Sequence, residues 1–494
     1  MPTEYKLPDF ILARPRTRIV CTIGPATGSP ERMLALVRAG MSVARLNLTH
    51  GTREDHKSYV STAREVAKQA GVDVGILADL PGPKYRLGEV SRDGIVLNAG
   101  DPFVLTADTV KATEERATVW PAGLHVDVPA GSKVLIDEGA VELRVDHVSG
   151  VEIRCTVEVG GLLQPRKAVT APGNTSTLDY FTDETVEALD FASEADVDFV
   201  GLSYIRNVDD LRRVKSYLAE RGRNPLLVSK IELREAVNNL DSIVDESYGV
   251  MVARGDLGVE LPLAEVPGVQ RRIVFAANSK GKPVITATEM LESMIESPHP
   301  TRAEATDVHN AVRDGTDAIM LSGETSIGKH PVRAVEYMAD IALRAEEEMD
   351  YEFLMQRRHE ALIRSGQAVD DAIAYSACRT AATLGAKVIL AFTESGSTAA
   401  RVASFRPRTP IIALMRERSA ARIALRWGII PVRVPGFESV QQMFYEGSRA
   451  AVDAGFAQDG DLAVAVVGMP IGIPGNTNLL RVIKVPEPQP KQVK

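Results

Sequence analysis

Polar residues able to hold a metal ion or a phosphate recur at the ends of short apolar runs along this chain. ARLNLTH carries Arg45, Asn47, Thr49 and His50, and the next run ends on Asp79. Later runs end on Ser203, on SKIE with Lys230 and Glu232, and on ARGD with Arg254, Gly255 and Asp256, followed by runs ending on Thr288 and Ser322. Glu232 and Asp256 are hard oxygen ligands, suited to Mg²⁺ or Mn²⁺ with several waters retained. Lys230 and Arg45 are cations that could hold the oxygens of a transferring phosphate. ARGDLGVELP places glycines where a backbone comes close to a ligand, and its amides could hold a carboxylate if a helix starts after Gly255. Capping of a strand or helix explains one such residue alone; it does not explain seven strand ends together. A metal and cations converging on one place imply phosphoryl or enolate chemistry, where charge stabilisation dominates.

The elements that must position these residues alternate between strand and helix. Arg18–Ile23, Ser42–Leu46, Val74–Ala78, Val197–Leu202, Leu226–Ser229, Gly249–Val252, Pro283–Thr286 and Asp317–Leu321 are rich in Val and Ile and lack polar alternation. Strands buried on both faces, as in parallel sheets, read this way. Helical stretches such as Pro30–Ala39, Arg53–Gln69, Asp183–Ser193 and Val208–Arg221 follow them. Eight such units predict an α/β fold of the (β/α)₈ TIM barrel type, with the site at the C-terminal ends of the strands. After PGPKYRLG the texture changes to short β runs (Ile95–Leu97, Pro102–Leu105, Lys133–Ile136, Val141–Val145, Val151–Val157) between turns. This predicts an inserted β-barrel-like lid domain over 83–167, dividing the barrel into 1–82 and 168–335. Residues 336–494 predict a C-terminal α/β regulatory domain. The helical pattern Val332–Met349 follows the eighth unit, and helices Val369–Leu384, Thr398–Phe405, Ser419–Arg426 and Val440–Ala454 come after it. Strands Lys387–Phe392, Pro410–Leu414, Ile429–Val434 and Leu462–Val467 alternate with them, with Leu479–Val485 as an added edge strand and PEPQPKQVK as a frayed end.

Composition bounds the partners. The chain has 494 residues, 45% hydrophobic and 25% charged, with a formal charge of −9, so no global basic field favours nucleic acid. Cys21, Cys155 and Cys378 form no CxxC pair, which argues against zinc and against a disulfide framework. No apolar run approaches the roughly 18 residues of a membrane span, and Phe10–Ala13 is too short for a secretory core. A cytoplasmic location is expected, with no membrane and no nucleic acid as partner. No Walker A sequence occurs, and GETSIGKH is read as a loop.

CTIGPAT, ARLNLTHG, SKIE, MVARGDLGVELP, MLESMI, PTRAEATDV and IMLSGET together resemble the pyruvate kinase family in order and spacing, over about Arg16 to Val485. The resemblance implies a phosphotransferase that converts phosphoenolpyruvate and ADP into pyruvate and ATP. Glu232 and Asp256 would hold Mg²⁺ (or Mn²⁺), and Lys230 would stabilise the phosphoryl group and the enolate. Arg45 would contact the phosphoryl group. The Gly255 and Asp256 amides and Thr288 would position the substrate carboxylate, and Thr288 and Ser322 would relay a proton through water. Arg86, His50 and Lys167 would contact nucleotide phosphates under the closing lid. A helix N-cap or a loop hydrogen bond would equally explain Ser322 or His50. Glu289 stands where the family often has Gln, and the sequence offers no reason for the change. The family is usually a homotetramer.

Two departures from the family pattern carry expectations. Many members need K⁺ at residues matching Asn47, Thr49, Asp79 and the Leu80 carbonyl, and carry Glu where this chain has Lys84. An ammonium there supplies its own charge and repels a second cation by ~4 kcal/mol at 4 Å and an effective dielectric of ~20. K⁺ is therefore expected not to be required. The loop TESGST, with Thr393, Ser395, Gly396, Ser397 and Thr398, precedes a helix and makes a phosphate cradle. In the family the matching loop binds a sugar-phosphate activator, and Gly468–Asn478 closes over it. Here Glu394 adds negative charge and Ser397 replaces a basic residue, so a sugar monophosphate or nucleotide monophosphate is the expected effector. A phosphoenolpyruvate-handling lyase or aldolase, and a metabolite sensor on an inactive barrel, are the alternative functions. Arg86 and Lys167 count against the first; intact Lys230, Glu232, Asp256 and Thr288 count against the second.

Overall fold

The computed structural model describes residues 5–366, 368–415, 420–434, 437, 439–470 and 476–487. Eight parallel strands close a barrel: Arg18–Thr22, Met41–Asn47, Gly75–Leu80, Phe199–Leu202, Leu226–Ile231, Gly249–Ala253, Val284–Ala287 and Ala318–Leu321. Nearly every residue in them is buried, which is why their sequences lack alternation. The last strand pairs with the first, Arg18 opposite Ala318, so no edge remains.

Local signals set the surrounding helices. Ser29 caps Pro30–Ala39, with Pro at the first position, where its missing N–H costs nothing. Thr52 and Asp55 form a capping box on Arg53–Ala70, and Gly71 closes that helix in the left-handed region at φ 68°. PTRAE is also a capping box: Thr301 accepts from the Glu304 amide, and the Glu304 carboxylate accepts from the Thr301 amide at 2.7 Å. Glu304 further accepts from the Ser293 amide and hydroxyl, at 2.7 and 2.6 Å, and so ties the MLES turn to this helix. The helix Pro331–Glu347 packs its buried face, Ala334, Val335, Met338, Ala339 and Ala342, into the barrel core. The boundary expected at 335/336 thus falls inside a helix that stays with the barrel to its end.

Between the third and fourth strands the chain leaves to build a second, seven-stranded closed barrel. Three of its strands, Tyr85–Leu87, Arg116–Trp120 and Ala168–Thr170, were not among the β runs expected. Two of them are three residues long and gain their identity from pairing, Ala168 opposite Arg86 and Arg86 opposite Trp120. Ala168–Thr170 lies beyond the expected limit at 167, so the return to the main barrel comes after Thr170. Asp127 of this insert accepts from the Thr177 amide at 3.1 Å and from the Tyr85 hydroxyl, tying it to the returning connector.

The C-terminal domain is a five-stranded sheet, parallel except for the edge strand Leu479–Lys484, which runs antiparallel to Leu462–Val467. The helix expected over Ser419–Arg426 is instead a short 3₁₀ turn, Ala421–Ile423, with Ser419 outside the described residues. Much of the expected frayed tail, 488–494, also lies outside them. Arg406, buried, pairs with Asp317 at 3.0 Å, and Arg426 donates to the Gly281 carbonyl at 2.6 Å; both join this domain to the barrel. All three cysteines are buried and unpaired. No helix among the described residues is long and apolar enough to cross a membrane.

Candidate active site

The polar strand ends meet at the C-terminal mouth of the barrel. Parallel register sets Asn47 beside Asp79, and Asp79 beside Gly201. Asp79 is 1% exposed and gathers three partners. Arg45 donates its Nε to Oδ2 at 2.7 Å, Lys230 Nζ stands 3.3 Å from Oδ1, and the Ser203 hydroxyl donates to Oδ1 at 3.4 Å. Gly201 lets Asp79 sit close: a Cβ there would stand 3.2 Å from Asp79 Oδ1, a tight contact. Burial pushes the Asp79 carboxyl up, but the charges of Lys230 and Arg45 outweigh it and hold the group below the usual carboxylate range.

Lys230 is the hub. Its ammonium donates to Ser203 Oγ at 2.7 Å and pairs with Glu232 Oε1 at 2.9 Å as well as with Asp79. Burial alone would lower its pKa; Asp79 and Glu232 reverse that and keep it protonated. Glu232 is fully buried, and burial raises its carboxyl despite Lys230, with the negative charge of Asp256 adding to the rise. Asp256, at the start of the helix Arg254–Glu260, goes the other way. Burial raises it, yet Lys84 and Lys230 together bring it below its ordinary value. Lys84 Nζ lies 3.0 Å from Asp256 Oδ1, and the Tyr204 hydroxyl donates to the same oxygen at 2.6 Å.

The two carboxylates fit a Mg²⁺ or Mn²⁺ ion. They are oxygen donors on neighbouring elements, the charge of Asp256 raises the Glu232 carboxyl, and no described residue donates to Asp256 Oδ2. Among the described residues no cluster of three or more His, Cys, Asp or Glu could enclose a metal. Two carboxylates with substrate and waters completing the shell is a usual Mg²⁺ arrangement.

The carboxylate cradle is partly self-occupied. The helix starts at Arg254, two residues earlier than expected, and the Gly255 N–H donates to Thr288 Oγ1 at 2.8 Å. Thr288 and Glu289 both have positive φ, 64° and 53°. Arg254, buried, holds this turn by donating to the Thr288 carbonyl at 3.1 Å and by pairing with Asp307. Ser322 occupies an N-cap position, but its side chain caps nothing; its amide donates to Glu324 at 2.6 Å. Nothing in the structure explains Glu289.

His50 and Arg86 line one cavity of about 430 Å³ together with Thr49, Arg53 and Arg166. Lys167 is not brought to it. Arg166 has φ 60°, and this left-handed turn leaves Lys167 paired with Asp137 at 3.0 Å while Arg166 faces the cavity. Of the residues expected at a K⁺ site, Asn47 Oδ1 accepts the Thr49 amide at 3.3 Å, Asp79 pairs with Arg45 and Lys230, and Leu80 is buried. Lys84 stands against Asp256, with none of these as a hydrogen-bond partner among the described residues. In the C-terminal domain the Gly396 N–H donates to Thr393 Oγ1 at 3.0 Å, Ser395 donates to Ser397 at 3.2 Å, and Thr398 bonds Thr477 at 3.0 Å. The loop Gly468–Asn478 therefore touches TESGST through Thr477, with 471–475 outside the described residues.

Tyr204, Arg166, Glu260 and Glu324 were not singled out from sequence, and no spacing marks them. Glu260 is one turn beyond Asp256 and borders the cavity that Lys84 lines. Burial pushes its carboxyl up to about 7, against the Gly173 amide and Lys84, with Asp256 adding to the rise.

Two family models match the chain: "Pyruvate kinase, barrel domain" over residues 14–335 and "Pyruvate kinase, alpha/beta domain" over 371–483. Pyruvate kinase 2 of Synechocystis is 42% identical over 94% of this chain and 79% of its own length. The pyruvate kinase of Geobacillus stearothermophilus is 41% identical over 94% and 80%. A crystal structure of a Cryptosporidium parvum pyruvate kinase superposes with a TM-score of 0.91 at 36% identity, over 97% of this chain and 98% of that one.

Glu260 gives a pH test. The unfolded side chain ionises near 4.5, so between about 4.5 and 7 the folded protein keeps a proton that the unfolded chain has lost. Stability attributable to this group falls as pH rises through that window. Glu260→Gln should flatten the pH dependence of the thermal midpoint there. It should also stabilise the protein at pH 8, by up to roughly 3 kcal/mol. Parallel melting profiles for both proteins from pH 5 to 8 would contradict this.

Proposed function

Because the chain belongs to the pyruvate kinase family, and is thereby a phosphotransferase, we propose that it transfers the phosphoryl group of phosphoenolpyruvate to ADP, giving pyruvate and ATP at the last step of glycolysis. The observation that carries the reading is the Lys230 ammonium, held charged between two buried carboxylates at the barrel mouth. A fixed cation aimed where charge moves stabilises the transition state without reorganisation. Lys230 faces the phosphoryl group in flight and the enolate left behind, and Arg45, braced by Asp79 and Thr22, contacts the phosphoryl oxygens. Glu232 and Asp256 would hold Mg²⁺ or Mn²⁺, whose charge would offset that of the two anionic substrates. The Gly255 and Asp256 amides and Thr288 orient the substrate carboxylate. Thr288 and Ser322 pass a proton, through water, to the enolate carbon.

Arg86 and His50 bind the nucleotide phosphates, with Arg166 in the place first expected of Lys167. The inserted barrel is a lid whose closure keeps water from the phosphoryl group. A cytoplasmic homotetramer is the working assembly, as the family resemblance implies.

K⁺ is not required on this reading. Lys84 supplies a permanent positive charge beside the metal ligand Asp256, where an acidic residue would call for a balancing cation. Effector binding at TESGST is weak for a bisphosphate, because Glu394 is exposed at the cradle.

In a coupled assay with phosphoenolpyruvate and ADP, activity should vanish in EDTA, and Asp256→Asn or Glu232→Gln should lose at least about 10²-fold in rate, roughly 2.7 kcal/mol of transition-state stabilisation. Turnover near wild type in EDTA would sink the metal assignment. In tetramethylammonium buffer without K⁺ the wild type should be near full activity, and Lys84→Glu should create a K⁺ requirement; more than tenfold K⁺ activation of the wild type would show that Lys84 does not substitute for the ion. Fructose 1,6-bisphosphate should activate weakly or not at all, and strong activation at micromolar concentration would refute the roles given to Glu394 and Ser397.

A further inference from the structure

Tyr204 follows Ser203 at the end of the fourth barrel strand with φ 57°. This left-handed conformation is uncommon for a bulky side chain. It allows one residue to reach two elements at once. Its amide N–H donates to Glu232 Oε2 at 2.6 Å, and its hydroxyl donates to Asp256 Oδ1, also at 2.6 Å. Lys84 lies over its ring, 5.0 Å from the centroid, while bonding the same Asp256 oxygen. The hinge closes the clamp from the other side. A Cβ on Gly82 would stand 2.7 Å from both the Ser203 carbonyl oxygen and Tyr204 Cδ2, so the PGP turn presses directly on this residue.

We infer that Tyr204 is a positioning residue for the divalent cation, fixing the separation of Glu232 and Asp256 and committing Asp256 Oδ1 so that Oδ2 is left for the ion. The inference rests on the assignment of Glu232 and Asp256 as the metal ligands. Donors that orient ligating carboxylates typically contribute 10–100-fold to metal affinity. The phenol bond is separable from the rest of the clamp. A phenylalanine keeps the ring under Lys84 and the amide on Glu232, and removes only the donor to Asp256. The turn at Gly82 and the two carboxylates thus share one support in Tyr204.

Mn²⁺ binding without substrates, read from the free-ion electron paramagnetic resonance signal, tests this on wild type, Tyr204→Phe and Asp256→Asn. Tyr204→Phe should bind Mn²⁺ about tenfold more weakly. Its metal half-saturation in turnover should rise by the same factor, while kcat at saturating Mn²⁺ stays within about threefold, a split that general loss of structure would not give. Should Tyr204→Phe fail to fold, Tyr204→Met, which loses the ring under Lys84 as well as the phenol, should weaken Mn²⁺ binding at least tenfold, and wild-type affinity in it would equally overturn the role of Tyr204. Wild-type Mn²⁺ affinity in Tyr204→Phe with lost affinity in Asp256→Asn would overturn the role of Tyr204 and leave the ligand assignment standing. Unchanged affinity in Asp256→Asn would overturn the ligand assignment and the inference with it.

Discussion

The burial of one ammonium group, that of Lys230, constrains the rest of the site. Removing a charge from water costs several kcal/mol even after relaxation, and only close partners with good geometry offset it. Here the partners are Asp79, Glu232 and Ser203, contributed by three different segments. Each needs support of its own. Asp79 brings in Arg45, which in turn rests on Thr22 of the first strand; Glu232 brings in the Tyr204 amide. Arg45 and Lys230 thus face Asp79 and Glu232, Lys84 faces Asp256, and Tyr204 joins the two groups through its amide and hydroxyl. Only a closed parallel barrel in this register sets those strand ends side by side. The cost of holding the array is set against stability, and the return is a cation that needs no rearrangement when charge moves.

The hinge and the C-terminal domain are fitted around this array. Gly82 lets the start of the inserted barrel approach Ser203 and Tyr204 at backbone distance, and Tyr204 in turn bonds Glu232 and Asp256. At the other end of the barrel, Asp317 at the foot of the last strand accepts from Arg406 of the C-terminal domain, and its backbone carbonyl receives the Arg18 amide of the first strand. The C-terminal domain is thereby anchored on the seam where the barrel closes.

Much of this was legible in the sequence, for identifiable reasons. Strands buried on both faces are written as Val/Ile runs, and all eight barrel strands appear so. Ser29, Thr52 and Thr301 announce their helices through capping chemistry. The strand-end residues were visible because a Lys, Glu or Asp closing an apolar run is costly to bury unless it is paired or holds a ligand. What was hidden depends on tertiary pairing or on backbone conformation. Tyr85–Leu87 and Ala168–Thr170 are too short to show a period and are strands because they pair, with each other and with Arg116–Trp120 and Lys133–Ile136 on either side. Tyr204 reads as an ordinary aromatic residue after a strand, and its role arises from a positive φ that no local signal marks. Lys167 and Arg166 differ by one position, and a left-handed Arg166 decides which of them reaches the cavity. Lys84 was legible as a charge; its seat against Asp256 was not.

The central claim is that Asp79 acts on phosphoryl transfer by holding Lys230. A double-mutant cycle on kcat/KM with Asp79→Asn and Lys230→Met measures it directly. Because the two residues form one unit, Asp79→Asn should cost at least tenfold less in the Lys230→Met background than in the wild type. Equal losses in both backgrounds would show that Asp79 and Lys230 act independently, and would contradict the claim.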